Sequence, residues 1–161
     1  FNGDALIIEL PCGRRLFYWC AQIRQEEEID LETGKKTVRD VLWFKSSRGK
    51  QWRWQSAWPG LFTENVTQAV ANSVLRLGAL NAQAYCLADR AIAAYLNTLP
   101  ANRRTAIVLT VHDEVVCELP TGMLPLDVLI WLLTEDLKSK YAWLKGLPRA
   151  AGAWRGPRFR K

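Results

Sequence analysis

The sequence predicts an α+β fold of antiparallel strands and a hairpin packed with long helices, and three observations predict it. Residues 1–60 hold apolar segments of strand length separated by Pro, Gly and charged turns. An apolar stripe repeating every three and four residues then runs through 61–100. After it, Thr105-Ala-Ile-Val-Leu-Thr-Val-His-Asp-Glu-Val-Val-Cys-Glu-Leu119 sets two β-branched runs about a polar His-Asp pair, which predicts a buried strand, a tight turn and a second strand, and a further helix and basic tail fill 122–161. Strands gathered in one part of the chain and helices in another give α+β rather than α/β.

Each element has its own signal. Ala5-Leu-Ile-Ile-Glu-Leu10 is a short strand stopped by Pro11-Cys-Gly13, and Leu16-Phe-Tyr-Trp-Cys-Ala-Gln-Ile23 is a second strand. Glu26 to Asp40 mixes charges of both signs around Glu32-Thr-Gly34 and predicts a solvated hairpin tip. Val41-Leu-Trp-Phe44 and Gln51-Trp-Arg-Trp-Gln-Ser-Ala-Trp58 flank Ser46-Ser-Arg-Gly-Lys50, a second hairpin. Alternation puts Trp52 and Trp54 on one face, with Gln51, Arg53 and Gln55 on the other. Pro59-Gly60 ends the strands. Thr63 is the expected N-cap of the long helix, with Glu64 in its first turn. Val66, Ala69, Val70, Val74, Leu77 and Leu80 form its stripe, Gly78 marks a bend and Leu99-Pro100 closes it. The last helix follows Pro125 and buries Leu126, Val128, Leu129, Leu132, Leu133 and Leu137, and the tail from Lys145 is irregular.

A length of 161 residues and 49% hydrophobic content suit one domain with a real core. The net charge of +6, with arginines crowding the C-terminus, suits a polyanionic partner. Four cysteines without CxxC spacing indicate neither a zinc site nor a disulfide framework, a single histidine excludes a His-rich metal site, and reduced thiols are expected. No signal peptide or membrane-length apolar run is present, which predicts a cytoplasmic protein. The chain starts at Phe1 rather than Met, so a processed or excerpted chain is expected. The eight tryptophans offer stacking faces to bases along Trp52, Trp54 and Trp58, although filling a core or an interface is the commoner use.

The 105–119 hairpin carries the chemistry. A tight turn between strands holds Asp113 at a fixed, exposed position, as a divalent metal site requires. Nucleotidyl transfer by two metals roughly 3.5–4 Å apart uses such carboxylates to hold the ions. Glu114 begins the outgoing strand and should point away from Asp113 or lie at the site's edge, while His112 can reach a sugar or phosphate. A His-Asp pair in a β-turn is also ordinary turn chemistry, so spacing alone leaves the role open.

His-Asp-Glu-Val, preceded by Ile-Val-Leu-Thr-Val and followed by Val-Cys-Glu-Leu-Pro, resembles the motif C hairpin of the family A (polymerase I-like) DNA polymerases. Leu61-Phe-Thr-Glu-Asn-Val-Thr-Gln-Ala69 is similar to the start of the long palm helix in phage-type members. Leu10-Pro-Cys-Gly-Arg-Arg-Leu-Phe-Tyr18 resembles their Leu-Pro-Ser-Gly-Arg strand pair. Trp143-Leu-Lys-Gly-Leu-Pro-Arg-Ala and Gly156-Pro-Arg-Phe-Arg-Lys161 resemble their C-terminal ending. The resemblance covers nearly the whole chain in order and implies the C-terminal palm portion of such an enzyme, acting in a phage's bacterial host cytoplasm. It implies that Asp113 is a catalytic metal-binding carboxylate, Glu114 its auxiliary acidic neighbour and metal ligand, and His112 a contact at the primer terminus. Gln68 matches the glutamine that reads the minor groove. Asn65 matches its companion asparagine, although that residue usually stands four places before the glutamine, where this chain has Glu64.

The family's second aspartate and its nucleotide-holding fingers helix have no counterpart: there is no Asp-Tyr-Ser-type strand and no Arg-x-x-x-Lys helix ending in Tyr-Gly. The resemblance therefore implies two Mg2+ ions shared with another part, a DNA primer-template and dNTP as substrates, and a second polymerase chain or N-terminal portion as partner. A non-catalytic DNA-binding or scaffolding subunit is the alternative. A small metal-dependent nuclease ranks last, because one hairpin supplies too few ligands.

Overall fold

A computed structural model describes residues 4–29, 34–48 and 51–157. The tips expected at 30–33 and 49–50, Phe1, and the last four residues of the arginine-rich tail lie outside them. The chain divides into two compact units, Phe1–Val70 and Ala71–Lys161, rather than the one domain that its length suggests.

The first unit is an antiparallel sheet in chain order: β1 (Ala5–Glu9), β2 (Arg15–Ile29), β3 (Lys36–Arg48) and β4 (Gln51–Ser56). β2 and β3 run into both ends of the charged stretch 26–40 expected as a tip, covering 26–29 and 36–40. Mixed charge does not stop a strand whose neighbours pair across it: Lys36 meets Glu27 at 3.8 Å and Arg39 meets Glu28 at 3.1 Å. One face of this sheet packs Tyr18, Phe44 and Leu61 into a core with Leu6, Ile8, Leu16, Ala21 and Phe62. Tyr18 stands edge-on to Phe44 at 5.0 Å and to Phe62 at 4.8 Å. Between Trp19 and Gln22 two residues of β2 oppose one of β3, a β-bulge in which Cys20 takes φ +53°.

The long helix opens at Leu61, two residues before Thr63. Its first backbone bond runs from the Glu64 amide to the Gly60 carbonyl at 2.9 Å, so Gly60 caps it and Thr63 lies within the first turn. The expected single helix is two: α1 (Leu61–Ala88) and α2 (Arg90–Thr98). Asp89 separates them and caps α2, its carboxylate accepting from the Ala91 and Ile92 amides at 3.0 Å each.

In the second unit, Cys86, Ile92, Leu96 and Ala106 form a core joined by Tyr95, Leu99, Leu119, Met123 and Leu124. Burial pushes the Cys117 thiol up to about 11, in keeping with a reduced, unreactive side chain. Two short helices, α3 (Leu126–Leu133) and α4 (Glu135–Lys140), follow the hairpin described below. Leu132 and Leu137 of the expected stripe are fully buried, while Leu80 of α1 is exposed. Gly78 lies buried inside α1. A Cβ there would stand 2.8 Å from Leu133 Cδ2, so glycine serves close helix packing. From Lys145 to Pro157 the chain is irregular, as composition predicts, and Arg149 anchors it by donating Nη2 to the Thr134 carbonyl.

A partly buried polar knot joins α1 to α3 and α4. Asn81 Nδ2 donates to the Leu132 carbonyl at 2.8 Å and to Asp136 Oδ2 at 2.7 Å, and Lys140 Nζ reaches Asn81 Oδ1 at 2.5 Å and Asp136 Oδ2 at 2.6 Å. Burial alone would raise the Asp136 carboxyl pKa. The hydrogen bonds from Lys140 and Asn81, with the Lys140 charge, outweigh it and hold the group below the ordinary carboxylate value. A carboxyl depressed in the folded state contributes stability above its unfolded pKa of about 3.9 and loses it as pH falls through the folded value. Unfolding free energy measured in urea should therefore drop on acidification below about pH 4. The Asp136→Asn variant should lose less on the same change, and an equal acid dependence in both would show that this knot does not titrate.

No helix among the described residues is long and apolar enough to cross a membrane.

Candidate catalytic hairpin

β5 (Ile107–Val111) and β6 (Glu114–Cys117) form the hairpin expected over 105–119. Val111 pairs with Glu114, Thr110 with Val115 and Leu109 with Val116, which leaves a two-residue turn of His112 and Asp113. His112 adopts φ +51°. An L side chain tolerates that region only at some cost, and histidine is among the residues enriched there. A bend in register at Val108 separates this regular upper ladder from the base, where Ile107 faces Cys117.

The base is fastened more firmly than the tip. Gln83 of α1 turns its Oε1 to the hairpin and accepts from Thr105 Oγ1 at 2.8 Å, the Ala106 amide at 2.9 Å and the Ile107 amide at 3.1 Å. The Glu118 amide donates to the Ala106 carbonyl at 2.9 Å, and Ala106 itself is fully buried. One side-chain carbonyl thus satisfies two backbone donors at the strand entry, where no ladder partner exists for them. Nothing in the sequence marks Gln83 for this role. It is one polar residue on a 28-residue helix, and its partners lie more than twenty positions away.

His112, Asp113 and Glu114 come together at the tip and all three are exposed. Asn65 and Gln68 lie on neighbouring turns of α1 in the first unit. Asn65 Nδ2 donates to Tyr18 Oη at 3.1 Å, and Gln68 Nε2 donates to Glu64 Oε1 at 3.1 Å. Both amides therefore have intramolecular partners, and Glu64, standing at the place expected for asparagine, is the one that engages Gln68. That bond is exposed and exchanges readily with another acceptor.

Among the described residues no group of three or more His, Cys, Asp or Glu side chains could hold a metal ion. Asp113 and Glu114 alone do not suit magnesium, which demands near-octahedral oxygen coordination. The hairpin offers part of a site. Its strands also carry exposed aliphatic side chains, with Val108 46% and Leu109 47% accessible, and β5 and β6 pair only with each other among the described residues. A two-stranded ribbon of this kind is marginal alone and gains stability from a further strand or a covering surface.

The chain is 27% identical over 151 residues to a DNA polymerase of Bacillus phage SP02, an alignment spanning 94% of this chain and 19% of that polymerase. No protein-family model matches the chain, and no solved structure does. The chain thus spans about a fifth of the length of the relative it matches, and the match supports a relationship to DNA polymerases.

Proposed function

We propose that this chain is the C-terminal palm portion of a phage-type family A DNA polymerase, supplying one catalytic carboxylate and primer-template contacts to an assembled enzyme. The observation that carries this reading is the His112-Asp113 turn, held out at the end of a hairpin whose base Gln83 locks to α1. The phage polymerase match over nearly the whole chain supports it. Asp113 holds a carboxylate at the tip, Glu114 adds negative charge at its edge, and His112 faces the primer end. Asn65 and Gln68 contact the minor groove of the primer-template. Magnesium, when bound, would polarise the reacting phosphate oxygens. The remaining carboxylate and the nucleotide-binding helix belong to another segment or chain, whose surface would also cover Val108 and Leu109.

Mixing the 161-residue chain with a phage polymerase that lacks this region tests the reading. The expected result is magnesium-dependent extension of a labelled primer that neither polypeptide supports alone. Failure of any such polymerase to gain activity would contradict it. Activity gained equally with the Asp113→Ala chain would point to a scaffolding subunit instead.

A further inference from the structure

We propose that the solvent-facing side of the β1–β4 sheet is a stacking platform for single-stranded nucleic acid, a reading independent of the polymerase proposal. The core side of this sheet is used up by Tyr18, Phe44, Leu61 and their neighbours. The other side holds Phe17, Trp19, Trp43, Lys45, Trp52 and Trp54. The register places Trp19 opposite Lys45 and Lys45 opposite Trp54, one row across three strands. Phe17 and Trp19 lie with rings stacked at 12° and centroids 5.6 Å apart. Trp52, two residues before Trp54, shares its face.

The bulge decides what joins this row. In an unbroken strand Ala21 and Ile23 would follow Trp19 on its face. The extra residue at Cys20–Ala21 shifts the parity, so Ala21 packs into the core and Gln22 and Arg24 come to the aromatic side. Arg24 then lies across two indoles, its guanidinium carbon 4.2 Å from the Trp54 ring centre and 4.9 Å from that of Trp43, while Lys45 Nζ stands 5.4 Å from the Trp54 ring. Trp52 remains 60% accessible, Phe17 47%, Trp19 45% and Trp54 40%, so faces are free for a ligand despite the cations.

Charge selects the occupant. The cores of protein interfaces are depleted of lysine, yet Lys45 sits in the middle of the row between two tryptophans. Neither Arg24 nor Lys45 enters an ion pair among the described residues. The nearest carboxylate along β2, Glu26, accepts the Trp43 indole N–H at 2.6 Å and bounds the platform on that side. Aromatic faces interleaved with unpaired cations suit bases joined by phosphates, and the chain's net charge of +6 has the matching sign. A second copy of this chain would bring like charge against like.

The test uses the whole 161-residue chain with a 12-mer of oligothymidylate and an abasic 12-mer of equal charge, followed by tryptophan fluorescence at low salt. Saturable quenching by oligothymidylate is expected, with affinity for the abasic strand about tenfold or more weaker. Trp54→Ala and Trp52→Ala should each weaken oligothymidylate binding by about tenfold, Trp54→Tyr should retain most of it, and Trp131→Ala should leave it unchanged. Circular dichroism of each variant separates lost binding from lost fold, and Trp52→Ala, at the most exposed of these rings, keeps the test valid if Trp54→Ala unfolds. Equal affinity for the two strands would overturn the proposal, as would unchanged binding by both alanine variants. Self-association by light scattering that Trp54→Ala abolishes, without oligonucleotide binding, would also overturn it. None of these failures bears on primer extension by the assembled enzyme.

Discussion

Asp113→Ala is expected to reduce primer extension by the assembled enzyme by about a thousandfold or more. Metal-borne charge stabilisation is worth several kcal/mol in such reactions, and each 1.36 kcal/mol is a factor of ten in rate. Removing one of the few oxygens that fix an ion forfeits most of that gain. Glu114→Gln, a change one residue along on the outgoing strand, should cost far less, because its side chain stands at the edge of the tip rather than at the turn. Asp113 is exposed and makes no ladder bond at the turn, so the variant should melt within about 1 °C of the parent, in line with the small effects of surface substitutions. Single-turnover extension rates and thermal melts read the two quantities separately. A rate loss matched by a fall in melting temperature would assign Asp113 a structural role instead.

Gln83→Leu is the substitution with the largest expected effect on stability. It keeps the volume roughly constant but removes the oxygen that accepts from the Ala106 and Ile107 amides and from Thr105. Each buried donor left without a partner costs about 1–3 kcal/mol, so a loss of about 2–4 kcal/mol is expected in urea unfolding. The hairpin should suffer first. Hydrogen exchange at the Ala106 and Ile107 amides should accelerate more than at Ile92 or Leu96 in the core of α2, since the local anchor is gone while that core remains. A uniform acceleration across the unit would mean that Gln83 supports the whole fold rather than the hairpin base.

Local physics made much of this chain legible. The hairpin over 105–119, its tight turn and the alternation of Trp52 and Trp54 follow from period-two patterning and turn chemistry, and the structure has them where expected, although the first strand, expected to be buried, leaves Val108 and Leu109 exposed. What escaped depends on partners distant in sequence. The bulge at Cys20–Ala21 leaves no compositional mark, yet it decides that Arg24 rather than Ile23 reaches the tryptophans. The close approach of Leu133 to Gly78 has no local signal either. Asp89, by contrast, was open to reading: an aspartate before Arg90-Ala-Ile-Ala-Ala is an ordinary helix start, hidden by a stripe that continues across the break. The candidate site divides the same way. The turn residues are local and visible, whereas the glutamine that positions them is not.

The most direct measurement of the central claim, that Asp113 is one part of a metal site completed from elsewhere, is a manganese titration followed by electron paramagnetic resonance. Manganese stands in for magnesium, and the samples are the isolated chain, the assembled enzyme with primer-template, and the same assembly built with the Asp113→Ala chain. The account predicts weak binding by the isolated chain, tighter binding by the assembly, and loss of the tight component with Asp113→Ala. Equal tight binding in the two assemblies would contradict it.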